Sequence, residues 1–200
     1  MIRQRFSGQI AGLGTRSGTR LVIGTWWESP FGRFTDVMIE RADGHRVLVA
    51  PTAQVRDFVA ETYTFDETRI EPIDLQRNDA RWSLAAESLS VSLTIGRRRP
   101  LGWALCGIPR PLATSTAWAS AVDPIARVVL RGVRTRGVAR PGRREWYAAT
   151  DLRAITSASG RLDGEPLGDL RPVDPPCHFG FSSTPRAPGV TTVVTTVEST

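Results

Sequence analysis

Apolar and polar residues alternate without a break between Ser88 and Ile95. Leu89, Val91 and Leu93 take every second position, and serine or threonine fills the positions between them. Side chains of a β-strand point alternately to opposite faces, so this period of two predicts a strand with one buried face. Such a strand must pair with others in a sheet, and the apolar face of that sheet must pack against a hydrophobic core.

Short β-forming runs recur along the chain, separated by turns that contain glycine or proline. The runs 21–27, 34–40 and 46–50 are divided by turn signals at 29–32 and 43–44. We predict one domain of 200 residues, mostly antiparallel β, with about nine to eleven strands. A barrel or a strongly curved sheet protects the edges of that many strands, and a flat sandwich is the alternative.

One helix is predicted at 53–62. Thr52 can cap its N-terminus, and Val55, Phe58 and Val59 share one face at a spacing of three and four residues. The predicted helix therefore has one apolar face.

The segment 101–126 interrupts the β pattern. It is apolar, rich in small residues and broken by Pro109, Pro111 and Pro124, and it can hold a second short helix near 113–121. Connections longer than about 12 to 15 residues without regular structure are often lids or binding loops. We expect a lid that covers either the barrel mouth or the outer face of the sheet.

The charge is unevenly distributed. Residues 97–144 hold eleven arginines and one acid, Asp123, which gives this segment a net charge of +10, whereas 61–79 holds six acids and two arginines. The two segments can pair within the chain. Alternatively, the basic segment binds an acidic ligand, a nucleic acid or an anionic membrane.

All 26 basic residues are arginines, because the chain contains no lysine. A Schiff base on a side-chain amine and the phosphate contact of a P-loop both need lysine. The sequence therefore excludes both kinds of enzyme.

The leading candidate site is an arginine-rich hairpin around the turn at 141–142. A period of two places Arg134 and Arg136 on one face of the first strand, and Glu145 and Tyr147 on one face of the second. With 141 and 142 as the central turn residues, Arg136 lies opposite Tyr147. Such a face could hold an anion through bidentate contacts, or it could be an exposed ladder of ion pairs.

Trp27 and Glu28 form a second candidate site. Trp26 and Trp27 point to opposite faces of one strand, so one indole packs in the core and Trp27 can line a cavity. Glu28 at the strand end is either a general base or a solvated carboxylate.

Few residues offer metal or thiol chemistry. Two cysteines and two histidines lack the spacing of metal ligands, and Cys177 and His178 are neighbours that point apart on an extended chain. We predict no metal site and no cofactor. The first residues lack the apolar stretch of a secretory signal, so the cytoplasm is the expected compartment.

Three phrases resemble an uncharacterised protein family of high-GC actinobacteria: Gly-Arg-Arg-Glu-Trp-Tyr at 142–147, Leu-Asp-Gly at 162–164 and Phe-Gly-Phe at 179–181. That family brings no known activity.

A shorter phrase is similar to acetoacetate-decarboxylase-like proteins. Ser-Pro-Phe-Gly-Arg-Phe at 29–34, followed by Asp-Val-Met-Ile at 36–39, resembles their Ser-Pro-Val-Gly-Pro-Tyr motif and the strand after it. The resemblance implies a closed β fold with a pocket for small keto acids and a Schiff-base lysine. Without a lysine the decarboxylase mechanism does not carry over, and a lipocalin-like barrel accounts for the strand pattern equally well.

We therefore predict that the protein binds a small, partly apolar, acidic molecule in a barrel pocket. Arg134 and Arg136 would hold the acid, Tyr147 would donate a hydrogen bond and Trp27 would pack on the apolar part. One alternative is an enzyme that uses Glu28 or Glu145 for acid–base chemistry. The other is an interaction protein whose basic surface binds an anionic membrane or a nucleic acid. A nucleic acid is the less expected partner, because few aromatic residues accompany the basic ones.

Overall fold

The computed structural model describes residues 2–130 and 132–199, which form thirteen strands and four helices. In chain order these are β1 Ile2–Thr15, β2 Arg20–Glu28, β3 Phe34–Glu40, β4 Arg46–Ala50, α1 Ala53–Thr62, β5 Glu67–Ile70, β6 Asp74–Arg77, β7 Arg81–Ala85, β8 Leu89–Arg98, α2 Pro100–Cys106, α3 Arg110–Ala113, α4 Thr116–Val129, β9 Arg136–Arg140, β10 Arg143–Leu162, β11 Glu165–Pro166, β12 Leu170–Arg171 and β13 Gly189–Ser199.

All thirteen strands belong to one sheet, in which β9 and β11 pair with β10, and β12 pairs with β1. Ten of the strands form its strongly curved path, a half-barrel. Their order is β5-β4-β3-β2-β1-β13-β10-β8-β7-β6, and every pair along this path is antiparallel except β4 with β5. The predicted fold class, a mostly β chain with a strongly curved antiparallel sheet, is confirmed. That the whole chain is one domain stays a prediction.

The predicted alternating strand is β8. Leu89, Val91, Leu93 and Ile95 are buried, and the residues between them are exposed or half-buried. These four side chains pack in the main hydrophobic core with residues from one face of β1 to β4 and from β7, β10 and β13. The opposite face of β1, β2 and β3 is consequently left for a second set of contacts.

Helix α1 begins and ends as predicted. The Thr52 side chain accepts a hydrogen bond from Val55 N at 3.3 Å, which satisfies one of the free amides of the first turn. Val55 and Val59 are buried, and Phe58 is half-buried.

The predicted lid is more regular than its prolines suggested. It contains α2, α3 and α4, so the described residues form four helices, where the sequence predicted one or two. Pro100 and Pro111 lie in the first turns of α2 and α3, where a missing amide hydrogen costs nothing, and only Pro124 lies inside a helix. These prolines mostly begin helices instead of preventing them.

Helix α2 covers a gap along the edge of β10. That strand pairs with β9 up to Trp146 and with β8 from Arg153, and between them its edge faces α2. Arg99 N donates to Leu152 O at 2.9 Å, and a Cβ atom at Gly102 would lie 2.3 Å from the same oxygen. Glycine is what allows the helix to approach the strand this closely.

No helix in the described part of the chain is long and apolar enough to cross a membrane.

Candidate functional site

A cavity of about 430 Å³ lies between the sheet and the helices. One wall is the second face of β1, β2, β3, β10 and β13, and the other walls come from α1, α2, α4 and the segment 177–185. Apolar side chains provide most of the surface: Phe6, Ile10, Val22, Trp26, Phe34, Met38, Phe58, Leu101, Leu105, Ile108, Trp118, Val122, Ile125, Leu152, Phe179 and Val193. The lid segment thus forms part of a cavity wall, one of its two predicted placements.

The strongest polar feature of the cavity is a carboxyl group held by two phenols. Glu145 Oε2 accepts from Tyr147 OH at 3.0 Å and from Tyr63 OH at 3.2 Å, and the two phenol oxygens lie 2.5 Å apart. Tyr63 directly follows α1, whereas Glu145 and Tyr147 share one face of β10. We refer to these three residues as the carboxyl–phenol group.

Burial changes the protonation of this group. It raises the pKa of Glu145 to about 7, although the hydrogen bonds from Tyr147 and Tyr63 and the charge of Arg143 oppose the rise. Burial also raises the pKa values of both tyrosines well above their usual range, and the nearby carboxylate adds to the effect. Near pH 7 the group therefore holds two protonated phenols and a partly protonated carboxyl.

A second buried carboxyl belongs to Asp36, in the middle of β3. Its Oδ1 accepts from Trp26 Nε1 at 2.9 Å. A Cβ atom at Gly24 would come within 2.6 Å of this oxygen, so glycine makes room for the bond. Burial raises the pKa of Asp36 to about 7, and the hydrogen bond from Trp26 lowers it in part.

Two threonine hydroxyls in the cavity wall have no hydrogen-bond partner in the described part of the chain. They belong to Thr184 and Thr195, and both oxygen atoms are buried. Thr195 pairs with Tyr147 across the β10–β13 ladder, so its hydroxyl lies on the same face as the carboxyl–phenol group. A buried hydroxyl without a hydrogen bond is unfavourable unless a ligand or a water molecule supplies that bond.

Of the two predicted arginines, Arg134 lines the cavity and Arg136 does not. Arg134 Nε lies 3.4 Å from Asp123 Oδ1, which also accepts from the amides of Thr135 at 2.8 Å and Arg136 at 3.2 Å. The Arg136 side chain is exposed on β9.

The register of this hairpin differs from the predicted one. Arg140 pairs with Arg143 around the expected turn, but a bulge then shifts the ladder, so that Arg136 lies opposite Trp146 instead of Tyr147. A shift of one residue moves a side chain to the other face of the sheet. The structure thus brings Arg134, Glu145 and Tyr147 to one cavity and leaves Arg136 outside it.

Trp27 and Glu28 lie away from the cavity. Trp26 is the indole that lines it, and Trp27 borders a separate surface groove of about 400 Å³ together with Glu28, Arg5 and Arg110. The Arg77 guanidinium lies 5.7 Å from the centre of one Trp27 ring, and Glu28 accepts from Ser7 Oγ at 3.1 Å.

The sequence interpretation missed Tyr63, Asp36 and Thr195. Asp36 carried the only visible signal, an acid inside an otherwise apolar β run. Tyr63 could not be found this way, because its contact with Glu145 joins residues 82 positions apart.

Among the described residues, no group of three or more His, Cys, Asp or Glu side chains could hold a metal ion. Cys106 is exposed and Cys177 is buried, and burial raises the pKa of the Cys177 thiol to about 12. Such a thiol is a weak nucleophile at neutral pH.

Comparison with known proteins identifies the fold and goes no further. No protein-family model matches the sequence, and no curated protein matches it significantly. A solved structure of acetoacetate decarboxylase matches with a TM-score of 0.51 and 8% identity over 100% of this chain and 88% of that one. The acetoacetate decarboxylase of Legionella pneumophila matches with a TM-score of 0.44 and 8% identity over 98% and 84%.

The half-barrel of this chain is thus similar to that of acetoacetate decarboxylase, in agreement with the resemblance of the short phrase at 29–39. At 8% identity the likeness concerns the fold alone. Membership of the actinobacterial family stays a prediction.

Proposed function

We propose that this protein binds a small, largely apolar molecule with one acidic group, and that the carboxyl–phenol group and Arg134 hold the acid. The observation that carries the proposal is a cavity of about 430 Å³ with apolar walls and one concentrated set of hydrogen-bond donors. Ligand sites typically have volumes of roughly 300 to 1,000 Å³ and a few polar groups that orient the ligand.

The donors in the cavity suit an anion. Thr184 and Thr195 offer two hydroxyls without a partner among the described residues. The Tyr63 and Tyr147 hydroxyls donate to Glu145 while it is charged, and they can turn to a ligand once Glu145 is protonated. Arg134 adds a positive charge, and its guanidinium makes two long contacts among the described residues, at 3.4 Å with Asp123 Oδ1 and at 3.4 Å with Arg136 O. A carboxylate ligand could accept several of these bonds, and a protonated Glu145 could donate one more.

The pKa of Glu145, about 7, gives the proposal a distinct pH dependence. Below this value Glu145 is neutral and can donate to a ligand carboxylate. Above it, two negative charges would face each other in an apolar site, which is unfavourable. Binding of an acid should therefore weaken as the pH rises through about 7, whereas binding of an amine should strengthen.

The test compares a medium-chain fatty acid with the alcohol and the amine of the same length by calorimetry. At pH 6 we expect the acid to bind most tightly and to lose about tenfold in affinity for each pH unit above 7. Glu145→Gln should bind the acid with a weaker pH dependence, because glutamine stays neutral and only Asp36 of the two cavity carboxyls still titrates near pH 7. Thr195→Val should weaken binding of the acid about fivefold, on the scale of one lost hydrogen bond.

Thr192→Val is the matched control, because Thr192 is the position of β13 next to the cavity-lining Thr191 and faces the other side of the sheet. A cavity that prefers the amine, or an affinity for the acid that does not change between pH 6 and 8, would contradict the proposal.

Acid–base catalysis in the same cavity is the second candidate. Two buried carboxyls, Asp36 and Glu145, have pKa values near 7, the range in which a general acid or base works best at neutral pH. Conversion of the bound acid during the titration, abolished by Glu145→Gln, would favour an enzyme over a binding protein.

A further inference from the structure

The helices that line the cavity also carry large apolar side chains on the outside of the molecule. Within the described residues, Val128 is 87% exposed and Trp103 and Ile125 are each 64% exposed; Leu112 and Val138 are also exposed. Soluble monomers rarely expose several large apolar side chains close together unless the surface has a partner.

These five side chains lie on four elements that are consecutive in the chain. Trp103 is on α2, Leu112 on α3, Ile125 and Val128 on α4, and Val138 on β9. Helix α3 contacts α4, and α4 contacts β9. We call this set the outer apolar group.

Unpaired arginines accompany the outer apolar group. In the described part of the chain, Arg97, Arg110, Arg136 and Arg144 make no ion pair with an acidic side chain, and all four are exposed. Arg136 flanks Val138 on the exposed face of β9, and Arg110 lies on α3 with Leu112.

Pairing within the chain does not neutralise the basic segment. Of the acids in the stretch 61–79, only Glu61 makes an ion pair with an arginine of 97–144 among the described residues, with Arg143 at 2.9 Å. Arg110, Arg136 and Arg144 therefore leave positive charge beside the exposed apolar side chains.

We propose that this surface docks on an anionic lipid bilayer. Aliphatic side chains such as Leu112, Ile125 and Val128 enter the boundary between headgroups and acyl chains, and arginines beside them contact anionic headgroups. A nucleic acid fits less well, because aliphatic side chains cannot stack on bases and Trp103 is the single aromatic member.

Docking would place α2 and α4 against the membrane, and both helices line the cavity. If the cavity binds an apolar acid, as proposed above, its wall then faces a plausible source of that ligand. Apart from Ile125, which borders the cavity as well, the docking surface and the cavity use different side chains, so the two proposals can fail separately.

The first experiment measures co-sedimentation with vesicles of phosphatidylcholine alone and of an equal mixture with phosphatidylglycerol. We expect binding to the mixture only, weakened by salt. Arg110→Gln with Arg136→Gln should weaken it about 25-fold, since each arginine near an anionic surface contributes about fivefold, or about 1 kcal/mol. Leu112→Ser with Val128→Ser should weaken it at least tenfold.

Matched controls lie on strands near the two ends of the sheet. Arg81→Gln on β7 and Ile70→Ser on β5 remove one exposed arginine and one exposed apolar side chain outside the surface, and both should leave vesicle binding unchanged. Circular dichroism of each variant checks that the fold is intact.

A second measurement tests insertion directly. Phosphatidylcholine brominated on its acyl chains, mixed with phosphatidylglycerol, should quench tryptophan fluorescence in the wild type and much less in Trp103→Phe. Four results would overturn the proposal: absence of vesicle binding, equal loss in the control variants, quenching that Trp103→Phe does not change, or binding to DNA that needs the arginines but not Leu112 and Val128. If Thr195→Val lost fatty-acid binding and kept vesicle binding, the result would support the cavity proposal and leave membrane docking standing as a separate property.

Discussion

At the scale of single residues, the two buried carboxyls reverse the usual effect of an acid on stability. Asp36 and Glu145 bind their protons more tightly in the folded chain than in the unfolded one, because burial raises both pKa values to about 7. The folded state then binds more protons than the unfolded state between pH 4.5 and 7, so the free energy of unfolding falls as the pH rises through that range. Acids with a lowered pKa, such as Asp66 at about 2, act below this window.

Glu145→Gln should remove much of this fall. A shift from 4.5 to about 7 corresponds to on the order of 3 kcal/mol of stability lost between pH 5 and 8. Urea unfolding at pH 5 and pH 8 should show this loss together with the loss from Asp36 in the wild type, and the Asp36 part alone in the variant, since glutamine does not titrate. Equal pH dependence in both proteins would mean that Glu145 does not hold its proton through burial.

At the scale of elements, the sequence predicted what depends on neighbours along the chain and missed what depends on distant ones. Strand β8 and helix α1 were predictable because a two-residue period and a cap at Thr52 are local features. The register of β9 on β10 was not, because it includes a bulge, and Gly137 on β9 packs against Phe181 from a remote segment. Of the site, Glu145, Tyr147 and Arg134 were named from the sequence, and Tyr63 and Asp36 were not.

The contact of α2 with the edge of β10 gives a prediction for this scale. Gly102→Ala would bring a Cβ atom within 2.3 Å of the Leu152 carbonyl, so helix and strand must separate, at an expected cost of roughly 2 kcal/mol or more. Gly107→Ala, at the end of the same helix, is the matched control: its nearest atom is 3.4 Å away and its φ of −72° suits alanine. Urea unfolding of both variants would show similar stabilities if α2 did not rest on this edge.

At the scale of the whole molecule, the sheet separates stability from binding. One face of β1 to β4 packs with β7 and β8 in the main core, and the other face of β1 to β3 borders the cavity. Deletion of a core side chain should thus lower stability without changing ligand binding. Filling of the cavity should abolish ligand binding without lowering stability. Leu93 and Ala149 represent the two sides, since Leu93 is fully buried in the core and Ala149 is half-buried in the cavity wall.

Thermal unfolding with and without a medium-chain fatty acid tests this separation. A ligand at about 100 times its Kd adds about 2.7 kcal/mol, which for a chain of this size raises the Tm by roughly 5 to 10 °C. Leu93→Ala should lower the Tm of the free protein, with a loss of roughly 2 to 5 kcal/mol, yet keep this ligand-induced rise because its cavity is intact. Ala149→Phe should lose the rise, because its ring occupies the space that the ligand needs. If both variants kept the rise, the fatty acid would bind outside the cavity, and if both lost it, the two faces of the sheet would be one coupled unit.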